Sequence, residues 1–172
     1  MAQGGYTMAT SRGNQLAQDI REKVAALKQV CQGVDENLAS RAPEDRWSPK
    51  QILSHLCGPE GVGHLPLLRS FVDSDTPFID LRTEDPFFTE NRARMSFTEL
   101  VAECERNYES VAKFAQELTE EQLGRKAHIP KLKDSELGEY PTLDGMIHGL
   151  GEYHVQFHTD HLVDILATLS RE

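Results

Sequence analysis

A chain of 172 residues with 38% hydrophobic content can bury a core as a single domain without disulfide staples. Its formal charge of -10, from 18 basic and 28 acidic residues, leaves no basic patch to neutralise phosphates. That balance argues against nucleic acid and anionic membrane as partners, while a small anionic substrate remains compatible with it.

No apolar run is long enough to span a bilayer, and the first ten residues lack the basic head and apolar stretch of a secretion signal. Cys31, Cys57 and Cys104 form no CxxC pair and are odd in number, so they suggest neither a disulfide framework nor a sulfur metal site. Cys31 and Cys104 fall in amphipathic patterns as small core fillers. These features predict a cytoplasmic protein, with a flexible segment over 1–10 and one domain over 11–172.

Ser11 is a candidate cap for a first helix beginning near Arg12. Leu16, Ile20, Val24, Leu27, Val34 and Leu38 continue a 3.6-residue apolar pattern along it. After a loop at Ala42–Arg46, Trp47-Ser48-Pro49-Lys50-Gln51-Ile52 carries several helix-start signals at once. Ser48 is placed as N-cap, Pro49 in the first turn, Gln51 as the returning half of a capping box, and Trp47 with Ile52 as a hydrophobic staple. Within this second helix His55 shares the core stripe with Ile52 and Leu56. Cys57-Gly58-Pro59-Glu60-Gly61 should loosen or kink the helix, which then continues through Leu65, Leu68 and Val72. Glu60 is expected to be solvated rather than at a site. His64, about 180° from His55 on an ideal wheel, is expected on the surface.

The polar, proline-broken stretch over 73–94 is too long for a simple helix-hairpin link, so it crosses the bundle end or covers a pocket. Phe78, Phe87 and Phe88 are candidate anchors for such a cover, and Arg92 and Arg94 are expected to be ordinary surface arginines rather than ligands for an anion. Ser96 and Glu99 repeat the capping box. The third helix then runs to about Leu118, with Leu100, Cys104, Tyr108, Val111 and Ala115 inward, the Tyr108 hydroxyl being expected at the core boundary. Thr119 to Leu123 makes a short helical turn, and 124–140 an irregular crossover. Thr142 then caps a last helix reaching about Ser170.

That last helix holds the most informative stretch. His154, His158 and His161 are spaced four and then three residues apart. On a helix, His158 lies about 40° from His154 and His161 about 20° to the other side. They occupy the stripe of Ile147, Leu150, Ile165 and Leu169, where a bundle helix normally places leucines. Three buried imidazoles need partners for their ring nitrogens, and a metal ion supplies one. His55 on the facing helix completes a set with His154 and His158, which leaves coordination positions open for reaction. His161 is then either a further ligand or, preferably, a proton acceptor beside the site. His148 and Asp160 fall on other faces, toward the flank and solvent. Long amphipathic helices without strand alternation predict an all-α four-helix bundle with long crossover connections.

The Trp47-Ser48-Pro49 helix start leading to His55-Leu56, together with Tyr153-His154, His158-Thr159 and His161-Leu162, resembles the DinB-like superfamily and its YfiT-like group of metal-dependent hydrolases. The resemblance covers nearly the whole chain. It implies a four-helix bundle, often a homodimer, with a divalent metal held at positions matching His55, His154 and His158, and with His161 matching a further histidine of YfiT-like members. It also implies zinc or nickel, with iron or manganese as alternatives, and a small electrophilic substrate that is hydrolysed or takes a low-molecular-weight thiol. The Cys57 to Gly61 run departs from the pattern and bears on the pocket's shape. A metal- or ligand-binding protein without turnover, and a metal-free helical dimer, are the alternatives.

Overall fold

The computed structural model describes residues 10–171. The flexible segment expected over 1–10 lies outside these, except for Thr10. It is Thr10, not Ser11, that caps the first helix, its side chain accepting from the Gly13 amide. Helix α1 (Ser11–Cys31) buries Leu16, Ile20, Val24, Leu27 and Cys31 in the predicted pattern. It ends earlier than expected, at a turn formed by Gln32 and Gly33. Val34 and Leu38 belong to the next segment, where Asp35 caps a separate short helix, α2 (Glu36–Ser40).

Helix α3 (Pro49–Cys57) starts as its sequence dictates, with Ser48 and Gln51 closing a reciprocal capping box. The expectation that it continues to Val72 is corrected. The chain breaks at Gly58, whose φ of 72° is open to glycine and strained for other residues, and restarts as α4 (Leu65–Asp73). The long connection that follows contains α5 (Glu90–Arg94). Helix α6 (Phe97–Glu117) has the Ser96–Glu99 capping box and buries Leu100, Cys104, Tyr108, Val111 and Ala115. Helix α7 (Glu120–Leu123) carries the third box, between Thr119 and Gln122.

The last long element is not one uniform α-helix. Thr142 caps α8 (Leu143–His148), a π-helical segment spans Gly149–His154, and α9 (Val155–Leu169) completes it. A π segment widens the helix and shifts its phase, so the faces before and after it do not follow a single 3.6-residue wheel. Gly151 makes this segment's close approach to α1, since a Cβ there would meet the Ile20 Cγ1 at 2.6 Å.

Helix α1 packs on α6 and α9, and α3 packs on the same two. The first and second long helices therefore stand at opposite corners of an all-α bundle, each touching the third and fourth. The core that joins them includes Leu16, Ile20, Ile52, Leu53, Leu100 and Ile165, all at most 1% exposed. Cys31, Cys57 and Cys104 are buried in it as free thiols. Among the described residues no helix is long and apolar enough to cross a membrane.

Candidate metal centre

Two neighbouring helices bring three histidines to one point. His55 projects from the second turn of α3, His154 closes the π segment, and His158 follows one α-turn later in α9. The His55 and His154 Nε2 atoms are 2.9 Å apart. Ring centroids are separated by 5.0 Å for His55 and His154, 4.6 Å for His55 and His158, and 4.8 Å for His154 and His158. One ligand atom from each lies within 4.8 Å of the others. Metal–nitrogen bonds of about 2.0–2.1 Å set three nitrogens about 3.3 Å apart around one tetrahedral ion, so small movements of the rings gather all three.

The hydrogen bonds around the cluster suit a ligand set. The Asp85 carbonyl stands 2.7 Å from His55 Nδ1. A carbonyl only accepts, so Nδ1 carries the proton and the Nε2 lone pair is left facing the other histidines. His154 Nδ1 meets the Tyr108 hydroxyl at a loose 3.4 Å. His158 is 7% exposed, and its Nδ1 is buried without a hydrogen-bond partner. His158 thus lacks the partners that His55 and His154 have, and a cation held by the cluster would engage it.

Burial also keeps the imidazoles neutral, the form that binds metal. Desolvation lowers His55, partly offset by the Asp85 carbonyl. It drives His154 well below its ordinary value, with repulsion from His158, His64 and His55 adding to the effect. His158 is pushed down to about 3 by burial first and by His55 second. Tyr108, fully buried, is raised well above the usual phenol and stays protonated. It sits behind His154 within the core rather than at the boundary expected for it.

His161 is placed beside the cluster and not in it. Its ring centroid is 5.9 Å from that of His158, and it does not line the adjoining cavity. Desolvation and the positive charge of Arg46 lower its pKa. His148 packs against Tyr153 on the flank, and Asp160 is exposed, as expected of both.

His64 corrects the sequence expectation. The break at Gly58 abolishes the α3 phase, and His64 turns inward to line the cavity, half-buried, its ring centroid 6.0 Å from that of His154. Its Nε2–H donates to the Leu56 carbonyl at 2.9 Å, and desolvation pushes its pKa down to about 4. The only signal available beforehand was the glycine-rich break itself.

The remaining candidates form the scaffold of the site. Glu60 accepts from the Thr89 hydroxyl and the Asn91 amide, pinning the 58–64 loop to the start of α5. Arg92 is 0% exposed, contrary to its expected surface position. It donates to the Ser54, Gly58 and Phe87 carbonyls and pairs with Glu103 at 2.6 Å. Phe87, in the left-handed region at φ 46°, lies over His55 with its ring centroid 6.2 Å away. The Phe87 amide donates to the Asp85 carboxylate at 2.7 Å, closing the turn that presents the Asp85 carbonyl. The long connection thus covers the centre through Phe87, whereas Phe78 is exposed and contacts His128 instead. Trp47 flanks the cluster from the other side, with its ring centroid 5.1 Å from that of His55.

The histidines open onto a cavity of about 520 Å³. Residues of α4, the connection near Leu81, the crossover near Leu137 and the π segment near Leu150 make its walls.

No protein-family profile and no curated protein sequence matches the chain. Solved structures do resemble it. YfiT from Bacillus subtilis, described as a probable metal-dependent hydrolase with an unusual four-helix bundle topology, aligns with a TM-score of 0.66 and 19% identity, over 99% of this chain and 92% of that one. A protein from Streptococcus pneumoniae aligns with a TM-score of 0.60 and 15% identity, over 98% and 96% of the respective chains. The likeness is one of fold: this chain has a four-helix bundle like that of YfiT, and it carries a three-histidine cluster capable of holding a divalent metal ion.

Proposed function

We propose that this protein is a metal-dependent enzyme in which His55, His154 and His158 hold a divalent ion, zinc or nickel first, and a small electrophilic substrate is hydrolysed or joined to a low-molecular-weight thiol. The observation that carries the reading is the convergence of three imidazoles, with the His55 Nε2 lone pair oriented by the Asp85 carbonyl. Such an ion supplies Lewis acidity and lowers the pKa of the water or thiol that it takes up. The chain's own part is to orient three lone pairs, to exclude bulk water with Trp47 and Phe87, and to line the approach with apolar walls. His161 is the proposed proton acceptor, acting from beside His158 through solvent rather than by direct contact. The description of YfiT as a probable metal-dependent hydrolase supports the hydrolytic version, and the thiol version differs from it by its co-substrate.

The test is metal analysis of protein purified without added metal, beside a His158→Ala variant. About one ion per chain in the first and a negligible amount in the second are expected. Negligible metal in both would sink the reading. Turnover of activated esters and of alkyl halides, each with and without added thiol, then separates hydrolase from transferase. Uptake of the ion with no turnover of either class would mark a binding protein.

A further inference from the structure

The cavity beside the histidines is an uneven container, and its unevenness points to the kind of molecule it takes. At one end stand His55, His154, His158 and His64. Beyond them the walls are mainly apolar, with Leu67 and Leu68 from α4, Leu81 from the connection, Leu137 from the crossover and Leu150 from the last helix, beside a smaller polar part that includes Arg82 and Glu136. At about 520 Å³ it falls in the size range of small-molecule sites.

One wall is fitted rather than incidental. Leu137 lies against two glycines one α-turn apart, since a Cβ at Gly145 or at Gly149 would stand 3.3 Å from one of its methyl groups. The crossover therefore closes tightly on the last helix, and an isobutyl side chain forms the inner surface. A ligand lying along such walls gains by presenting apolar surface, while a polar group placed there loses its hydrogen bonds to water without replacement. Arg82, Thr83, Ser135 and Glu136 also touch the cavity, but the histidine end is where several polar side chains converge on one point.

We propose that the substrate is an amphiphilic small molecule, with a polar reacting end at the histidines and an apolar aliphatic or aromatic body along Leu81, Leu137 and Leu150. This rests on the metal-centre reading for the polar end, while the apolar body rests on the cavity alone. The body separates this class from small hydrophilic electrophiles, which would leave the walls in contact with water.

Two probes test the two ends. The neutral dye N-phenyl-1-naphthylamine reports on the walls and should bind once per chain, with or without metal. Leu81→Glu and Leu137→Glu, both in connections outside the long helices, should each weaken it at least tenfold while leaving the helical circular dichroism unchanged. A series of n-alkyl hydroxamates from acetohydroxamate to octanohydroxamate, titrated calorimetrically into metal-loaded protein, should gain about three- to fourfold in affinity per methylene until the cavity is filled. Hydroxamate affinity that stays flat with chain length, or dye binding that is absent or insensitive to both substitutions, would overturn the proposed substrate class. Failure of the metal reading shows separately, as negligible ion by metal analysis with the dye still bound.

Discussion

The backbone carbonyl of Asp85 accepts the Nδ1 proton of His55 at 2.7 Å, across a separation of 30 residues. The bond decides which nitrogen of His55 faces the cluster, and its own position depends on how the 85–87 turn is held. That turn is closed by the Asp85 carboxylate and tied down through Phe87, whose carbonyl accepts from both Ser54 and Arg92. Arg92 is therefore a positioning residue for the centre.

Arg92→Met should destabilise the fold by about 3–5 kcal/mol, because it leaves the Glu103 carboxylate and several carbonyls without their buried cation. Urea unfolding measures this. Metal affinity should fall as well, since the Asp85 turn loses its anchor. A variant with wild-type affinity would show that the turn holds itself.

Acidification should weaken the metal-free protein. In the fold His55, His154 and His158 have lowered pKa values, the last at about 3, whereas an unfolded histidine titrates near about 6.5. Below that value the unfolded chain binds protons that the folded chain refuses. Stability is then complete above about pH 6.5 and is lost as the pH falls toward the folded pKa values, by about 1.4 kcal/mol per pH unit for each histidine that stays neutral. Melting temperatures of metal-free protein between pH 7.5 and pH 5 (roughly the window in which unfolded histidines titrate) check the sign. Replacing His158 by Gln should flatten the slope.

Gly151→Ala should cost about 1–3 kcal/mol, because its new methyl overlaps the Ile20 side chain on α1. The strain falls within the π segment that ends at His154. Weaker metal uptake is expected alongside the lower melting temperature.

Tyr108→Phe is expected to act mildly. Partners of metal-binding histidines commonly contribute about 10–100-fold in affinity, but at 3.4 Å the Tyr108 hydroxyl makes only a loose contact with His154. A drop of less than about tenfold, read by competition with a chromophoric chelator, is the expected result. A larger loss would mean that the contact tightens when the ion binds.

His64→Ala should leave the metal stoichiometry unchanged, because the His64 Nε2–H is committed to the Leu56 carbonyl. Metal analysis of the variant is decisive on whether a fourth imidazole is used.

What was legible in the sequence is what is local. The capping boxes at Ser48, Ser96 and Thr119 join groups three residues apart, so residue type and spacing suffice to place them. The His154 and His158 pair and the inward His55 follow from helix periodicity in the same way. The errors arise where a backbone irregularity resets that periodicity. The break after Cys57 turns His64 inward, and the Gly149–His154 π segment ends the single wheel assumed for the last helix. Arg92 was unreadable for another reason: its burial is compensated by carbonyls and a carboxylate that only the folded chain assembles. The carbonyl of Asp85 carries no signal at all, since every residue has one.

His55 and His154 are 99 residues apart in sequence yet in contact through their ring nitrogens. No hairpin of neighbouring helices presents the three histidines together. Helix α3 must already lie beside α9, about a hundred residues further along the chain. Capture of the ion is therefore coupled to completion of the bundle. Contacts of such long sequence separation form late and close large loops, so a bound ion would act as a lock on the finished tertiary structure instead of a seed for folding.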